Sequence, residues 1–273
     1  MLISGGARNC REARHPGCYT PSVTDSSSYF PSPSPSSQPP PVAGLAKPLL
    51  AALVVTAIVT ALSWLVPARH AATAVGLGFL SATYWLVMRR DEDDVAHHGL
   101  SLGGLFERTP LSLRRLVREG GVALLWALGF ALVIFPLFVK GYAVYWHPRQ
   151  SFRFVLPPRL WDDVAGQVLV IALPEEAFFR GYLQTALDDA TPARLRFRVL
   201  GAVIGPSLLV TSAIFALGHL LTEPRLARLA VFFPSLLFGW LRARTGGIGA
   251  GLAFHAFCNL LVTFLAHGFG LIK

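Results

Sequence analysis

Between Leu45 and Val66 the chain runs for twenty-two residues with a single charge, Lys47. About twenty such residues cross the hydrocarbon core of a bilayer as a helix, and in that medium only helices and closed barrels leave no backbone group unpaired. Similar runs recur at about 71–88, 122–145, 164–183, 199–221, 229–241 and 248–272. The expected fold is therefore all-α, a polytopic transmembrane bundle of about seven spans. Composition agrees, because 53% of the residues are hydrophobic and only 14% charged, where a soluble domain carries about a quarter charged residues.

The fifteen acids and twenty-four bases are bunched between the apolar runs, as loops between spans require. The net charge of +9 invites a nucleic-acid reading. The bases form no aromatic-interleaved stripe and no binding motif accompanies them, so no nucleic-acid partner is expected. Basic loops beside apolar spans fit the preference for positive charge on the cytoplasmic face, and the implied partner is the lipid bilayer. With the N-terminus inside, the inner loops hold Arg89, Arg90, Arg108, Arg114, Arg115, Arg118, Arg194, Arg196, Arg198, Arg242 and Arg244, and the outer ones chiefly Arg149, Arg153 and Arg159. Cys10, Cys18 and Cys258 form no CxxC pair and suggest no disulfide framework; Cys258 reads as a small buried hydrophobe.

Three regions follow. Residues 1–44, with the run PSPSPSSQPPP, are too poor in large apolar residues to offset the entropy of ordering and read as a disordered tail. Residues 45–160 hold the first three spans, with 95–120 between them: its arginines spaced among leucines suit a helix along the headgroups or a solvated loop helix. Tyr142 and Trp146 stand where interfacial anchors belong. Residues 161–273 hold the last four spans, with a short sixth at 229–241.

Only this last region places ionisable groups deep in its spans. Each costs at least about 2.5 kcal/mol near the bilayer centre, so such groups face the bundle interior and serve function. In LPEEAFFRGYLQ, Glu176 and Arg180 are four apart and suit an ion pair with the acid on the N-terminal side. Glu175 then points about 100° away, without a partner on its own helix. Pro174, just before the pair, removes a backbone hydrogen bond and can kink the helix. Phe215 and His219 share a face of the fifth span, where Gly218 admits a neighbouring helix. His255 and Asn259 are one turn apart on the seventh.

The chemistry these groups suit is water activation, with Glu175 as general base, His219 holding the same water, and His255 and Asn259 donating to the oxyanion at a scissile carbonyl. Zinc held by Glu175, His219 and His255 with an open position for water is a second possibility. No HExxH motif is present.

The motifs Glu175-Glu176-x-x-x-Arg180, Phe215-x-x-x-His219 and His255-x-x-x-Asn259 resemble those of the CPBP intramembrane proteases, the CAAX protease or type II CAAX prenyl endopeptidase family. All positions of that pattern match, over roughly residues 161 to 270. The resemblance implies an intramembrane endopeptidase that cleaves a membrane-anchored protein substrate near its C-terminus. It implies Glu175 as the water-activating residue assisted by His219, Glu176 beside it, His255 and Asn259 as oxyanion partners, and Arg180 as a positioning residue. Some relatives resemble C-terminal sorting proteases of the myxosortase type. With twenty-one arginines to three lysines, the chain looks like the product of a GC-rich bacterial genome, and a bacterial inner membrane is the expected location. Two other readings use the same residues: a non-catalytic scaffold or immunity protein in which the cluster only staples helices, and a proton-coupled transporter. No internal repeat of the kind the transporter reading needs is visible in the sequence.

Overall fold

The structure, a computed structural model, describes residues 44–106 and 110–272. The expected tail over 1–44, apart from Gly44, lies outside them, as do Cys10, Cys18 and Arg108. The described residues form helices and one small hairpin: α1 Ala46–Leu65, α2 Ala68–Thr83 running on through the π-turn Tyr84–Met88, α3 Glu92–His97, α4 Leu113–Trp146, and a composite α5. Strands β1 Phe197–Val199 and β2 Ala202–Ile204 follow, then α6 Pro206–Thr222, α7 Phe232–Thr245 and α8 Gly249–Gly268.

Among the described residues, five helical stretches are long and apolar enough to cross a membrane: Ala46–Leu65, Ala68–Met88, Leu113–Trp146, Leu226–Thr245 and Gly249–Gly268. Leu125, Leu132, Val133 and Leu137 of α4 point outward and are exposed, which only a hydrocarbon surround makes favourable. The protein is a multi-pass integral membrane protein with an all-α bundle.

Several boundaries differ from the sequence reading. The separate amphipathic helix expected over 95–120 does not form. Arg114, Arg115 and Arg118 lie instead in the first turns of α4, whose N-terminus is capped by Ser112 accepting from the Arg115 N–H. A cap of that kind lets the helix begin before its apolar run does. Residues 199–204, read as the start of the fifth span, fold instead into the hairpin of β1 and β2, with Leu200 and Gly201 at positive φ in its two-residue turn. The helix starts only at Pro206, a residue suited to a first turn. The short sixth span gains a 3₁₀ lead-in, Leu226–Val231, and runs to Thr245. Tyr142 is no interfacial anchor: it is buried and stacked on Phe269 at 6.2 Å, while Trp146 stays exposed.

Helix α5 carries the central geometry. It is assembled head to tail from Leu160–Ala165, the π-segment Gly166–Ala172, Leu173–Glu176, a second π-segment Ala177–Gln184, and Thr185–Ala190. Pro174 offers no N–H to the carbonyl of Val170 four residues back and its ring crowds that oxygen, so the ladder widens around it. The Val170 carbonyl leans on α2 at Gly76, where a β-carbon would lie 2.4 Å from it. A glycine there is a requirement of close approach.

Two apolar clusters flank α5. One joins Val59 of α1, Phe79 of α2, Phe178 and Phe179 of α5, and Phe215 of α6. The other joins Ala127 and Ala131 of α4, Phe238 and Leu241 of α7, and Phe254 of α8. At the Ala190 end of α5, His97 is bound to Asp189 through Nε2 at 2.9 Å, and Arg242 donates to the His97 carbonyl at 2.8 Å. Ser207 donates to Asp188 in the same cluster, which lines a cavity of about 250 Å³. Outside the spans, the bond to Asp189 raises the His97 pKa above its ordinary 6.5. Asp189 is held below 3.8 because the His97 bond and charge outweigh the opposing effect of burial.

Two outcomes are expected. Gly76→Ala forces the Val170 backbone to move and costs about 1–3 kcal/mol in stability, read as a lower midpoint of unfolding in detergent. The raised His97 pKa means that its contribution is fully present below 6.5 and lost as pH climbs through the raised value. The lowered Asp189 pKa means that its contribution is present above 3.8 and lost as pH falls. Going from about pH 5.5 to about pH 8.5 therefore lowers the melting midpoint of the wild type more than that of Asp189→Asn.

Candidate active site

Glu175 and Glu176 lie where α5, α6, α7 and α8 meet, and the two carboxylates have opposite fates. Glu176 is fully buried. Its Oε1 is 3.1 Å from Arg180 Nη1 and accepts a 3.0 Å hydrogen bond from His255 Nδ1. Its Oε2 lies against α8 at Gly251, where a β-carbon would come within 3.0 Å. Arg180, also fully buried, donates through Nη2 to Ser235 Oγ at 2.7 Å and to the Ser235 carbonyl at 3.2 Å. Its guanidinium sits 4.5 Å from the centre of the Phe215 ring and 5.1 Å from that of Phe238. These rings compensate a desolvated cation through their π faces. The expected ion pair between residues 176 and 180 thus exists, with α7 holding its far side.

Glu175 has no hydrogen-bond partner among protein groups for its buried Oε2. Its side chain keeps 12% of its surface exposed, against none for Glu176. The group nearest that oxygen is His255 Nε2 at 3.8 Å, too far for a direct hydrogen bond and right for a bridged one. His255 stacks on Phe238, with ring centres 4.7 Å apart and planes 13° from parallel. With the carboxylate of Glu176 accepting at Nδ1, a ring hydrogen belongs on Nδ1, and Nε2 is the nitrogen that faces Glu175.

His219 stands on α6 with Nδ1 donating to the Phe215 carbonyl at 3.0 Å, which leaves Nε2 free. Its ring packs 4.4 Å from that of Phe215, which also contacts His255 at 6.0 Å. His219 is within electrostatic range of Glu175 and His255. The imidazole 3.8 Å from Glu175 Oε2 is that of His255. Asn259, one turn beyond His255, gives one of its amide hydrogens to Gln167 Oε1 at 2.9 Å, so one remains for an oxyanion.

Six of the seven motif residues, Glu175, Glu176, Arg180, Phe215, His219 and His255, form one connected patch of charged, hydrogen-bonded and ring contacts, and Asn259 borders it. The sequence reading passed over Ser235, Gln167, Gln184 and Gly251. Gln167 and Gln184 were open to detection as amides in or beside an apolar span. Ser235 was not, since a serine in a membrane helix is ordinary. Gln184 donates to the Gly239 carbonyl at 3.0 Å and, with Ser235, fastens α5 to α7. For a metal, the candidate donors are Glu175 Oε2, His219 Nε2 and His255 Nε2. As arranged they do not make a ligand set: no group of three or more His, Cys, Asp or Glu residues among those described is placed to hold an ion.

The site is thus a membrane-embedded cluster of carboxylates, imidazoles and a caged arginine inside a bundle of apolar helices. Residues 157–261 match the family described as Type II CAAX prenyl endopeptidase Rce1-like, and this domain belongs to the CPBP, or CAAX protease, family. The family is one of proteases, and the matched segment contains all seven motif residues. No characterised protein and no solved structure matches the chain.

Removal of one member of the buried pair leaves an uncompensated charge, which costs about 3–5 kcal/mol. Glu176→Leu and Arg180→Met are each expected to destabilise the detergent-solubilised protein by that order, and the double variant by clearly less than the sum. Additive losses in unfolding experiments would refute the coupling.

Proposed function

We propose that the protein is an intramembrane endopeptidase that cuts membrane-anchored proteins near their C-terminus, with a water activated by Glu175. The observation that carries this reading is the asymmetry of the two acids: Glu176, fully buried, is engaged through Oε1 by both Arg180 and His255, and Glu175, partly exposed, has its Oε2 3.8 Å from a ring nitrogen of His255 with no direct hydrogen bond. A water about 2.8 Å from both acceptors subtends an angle of roughly 85°, so both of its protons point at bases and its lone pairs are free.

Attack on the scissile carbonyl transfers one water proton to Glu175. The developing oxyanion takes the remaining N–H of Asn259. His219, whose Nε2 is free, relays a proton to the leaving amine. Arg180 and Glu176 touch no substrate; they hold His255 in the tautomer and orientation that keep its Nε2 facing Glu175. In this reading no metal takes part, supported by the lack of a ligand set among the described residues. The arginine-rich composition favours a bacterial inner membrane, and a surface protein retained by a C-terminal anchor is a fitting substrate.

The experiment compares the membrane proteome of cells carrying the wild type with that of cells carrying Glu175→Gln. A C-terminally shortened membrane protein is expected only with the wild type. Reconstituted with that substrate, Glu175→Gln and His219→Ala lower turnover by about 10²–10⁴-fold, and EDTA leaves it unchanged. Full function in Glu175→Gln would mark a scaffold, and loss with EDTA restored by zinc would overturn the metal-free step.

A further inference from the structure

A substrate segment in a bilayer arrives as a helix with every backbone group paired. To be cut it must unwind, and each N–H and C=O released in a dry site costs several kcal/mol unless the enzyme supplies a partner. The protease therefore needs uncharged polar groups beside the hydrolytic centre that are neither spent on the fold nor sealed off. Most of the polar groups around the centre are spent. Ser235 is taken by Arg180 and the Gln184 amide nitrogen by Gly239, and both residues are buried.

The side-chain amides of Gln167 and Asn259 are the exception. Gln167 lies on the π-segment of α5 and Asn259 on α8, and both are half-buried. One bond joins them, from Asn259 Nδ2 to Gln167 Oε1 at 2.9 Å. The return bond of a closed amide pair is not made, so Gln167 Nε2 keeps its donors and Asn259 Oδ1 its acceptor capacity. Neither atom belongs to the buried unpartnered groups. A donor and an acceptor side by side are the complement of one peptide unit.

We propose that Gln167 and Asn259 form a binding site for a main-chain peptide unit of the unwound substrate, with Gln167 Nε2 donating to its carbonyl and Asn259 Oδ1 accepting from its N–H. Asn259 follows His255 by four residues on α8, a rise of about 6 Å. An extended chain advances about 3.3 Å per residue. The unit held is thus about two residues from the scissile bond. The site reads backbone and not side chain, so it favours segments that unwind readily over segments of a given sequence. It also explains the amide at position 167 in an otherwise apolar stretch: a hydrocarbon side chain would leave Asn259 unoriented and the peptide unit without a donor.

This inference rests on the protease reading, and the test separates the two. The probe is a synthetic peptide copy of the cleaved anchor segment, identified as above, in proteoliposomes with the full chain. In a second peptide one amide two residues from the scissile bond is replaced by an ester, which removes an N–H and weakens a carbonyl in the same unit. Wild type is expected to lose about 5- to 30-fold in kcat/KM on ester replacement, mostly through KM, the worth of one or two hydrogen bonds. Gln167→Leu and Gln167→Glu are expected to lose much of the activity on the amide peptide and to show a clearly smaller ester penalty. Gln167→Glu keeps the acceptor for Asn259 and removes only the donor, which separates binding from orientation. The same ester penalty in wild type and both variants overturns the proposal while leaving the protease intact. No cleavage of the amide peptide by wild type refutes the protease reading itself.

Discussion

The ion pair between Glu176 and Arg180 is the constraint on which the rest of the site depends. Two carboxylates side by side in an apolar bundle would ordinarily be unaffordable in free energy, since each charge loses its hydration. Arg180 answers one of them, with its Nη2 donating to Ser235 and its guanidinium set against the faces of Phe215 and Phe238. His255 adds its Nδ1 hydrogen to Glu176. The consequence is a division of labour: the acid tied through Oε1 to Arg180 and His255 fixes geometry, and the acid beside it, with no direct hydrogen bond to its Oε2, is available for chemistry.

That division reaches into the fold. Arg180 finds Ser235 only because α7 lies against α5, and α8 lies close to Glu176 only because residue 251 is glycine. Gly76 plays the same part between α2 and the Val170 carbonyl. The two π-segments of α5 flank the Pro174-Glu175-Glu176 triplet, and π-turns are commonly found at functional sites. Here the cause is identifiable in Pro174, which cannot complete an ordinary ladder.

Much of this was legible in the sequence. Apolar runs near twenty residues dictate membrane helices in any tertiary context. The four-residue spacing of Glu176 and Arg180 dictates a pair on one helix, and the same spacing puts Phe215 with His219 and His255 with Asn259. Boundaries were less legible where a local signal outweighed hydropathy. Ser112 started α4 before its apolar run, and the positive-φ turn at Leu200 and Gly201 gave a hairpin where the composition reads as a span. Tyr142 illustrates the limit for side chains: an aromatic near a helix end reads as an interfacial anchor, but a facing Phe269 buries it.

By itself the sequence determined that the chain enters a bilayer, that its acids, imidazoles and amide lie on three late helices, and which residues of each share a face. These follow from hydropathy and the 3.6-residue period, which are properties of one helix at a time. Tertiary structure alone decided which imidazole faces Glu175, that Ser235 holds Arg180, and that Gln167 meets Asn259. Such pairings depend on the rotation and separation of neighbouring helices, set by glycine contacts and ring packing between residues distant in the chain, and no periodicity within one segment encodes them.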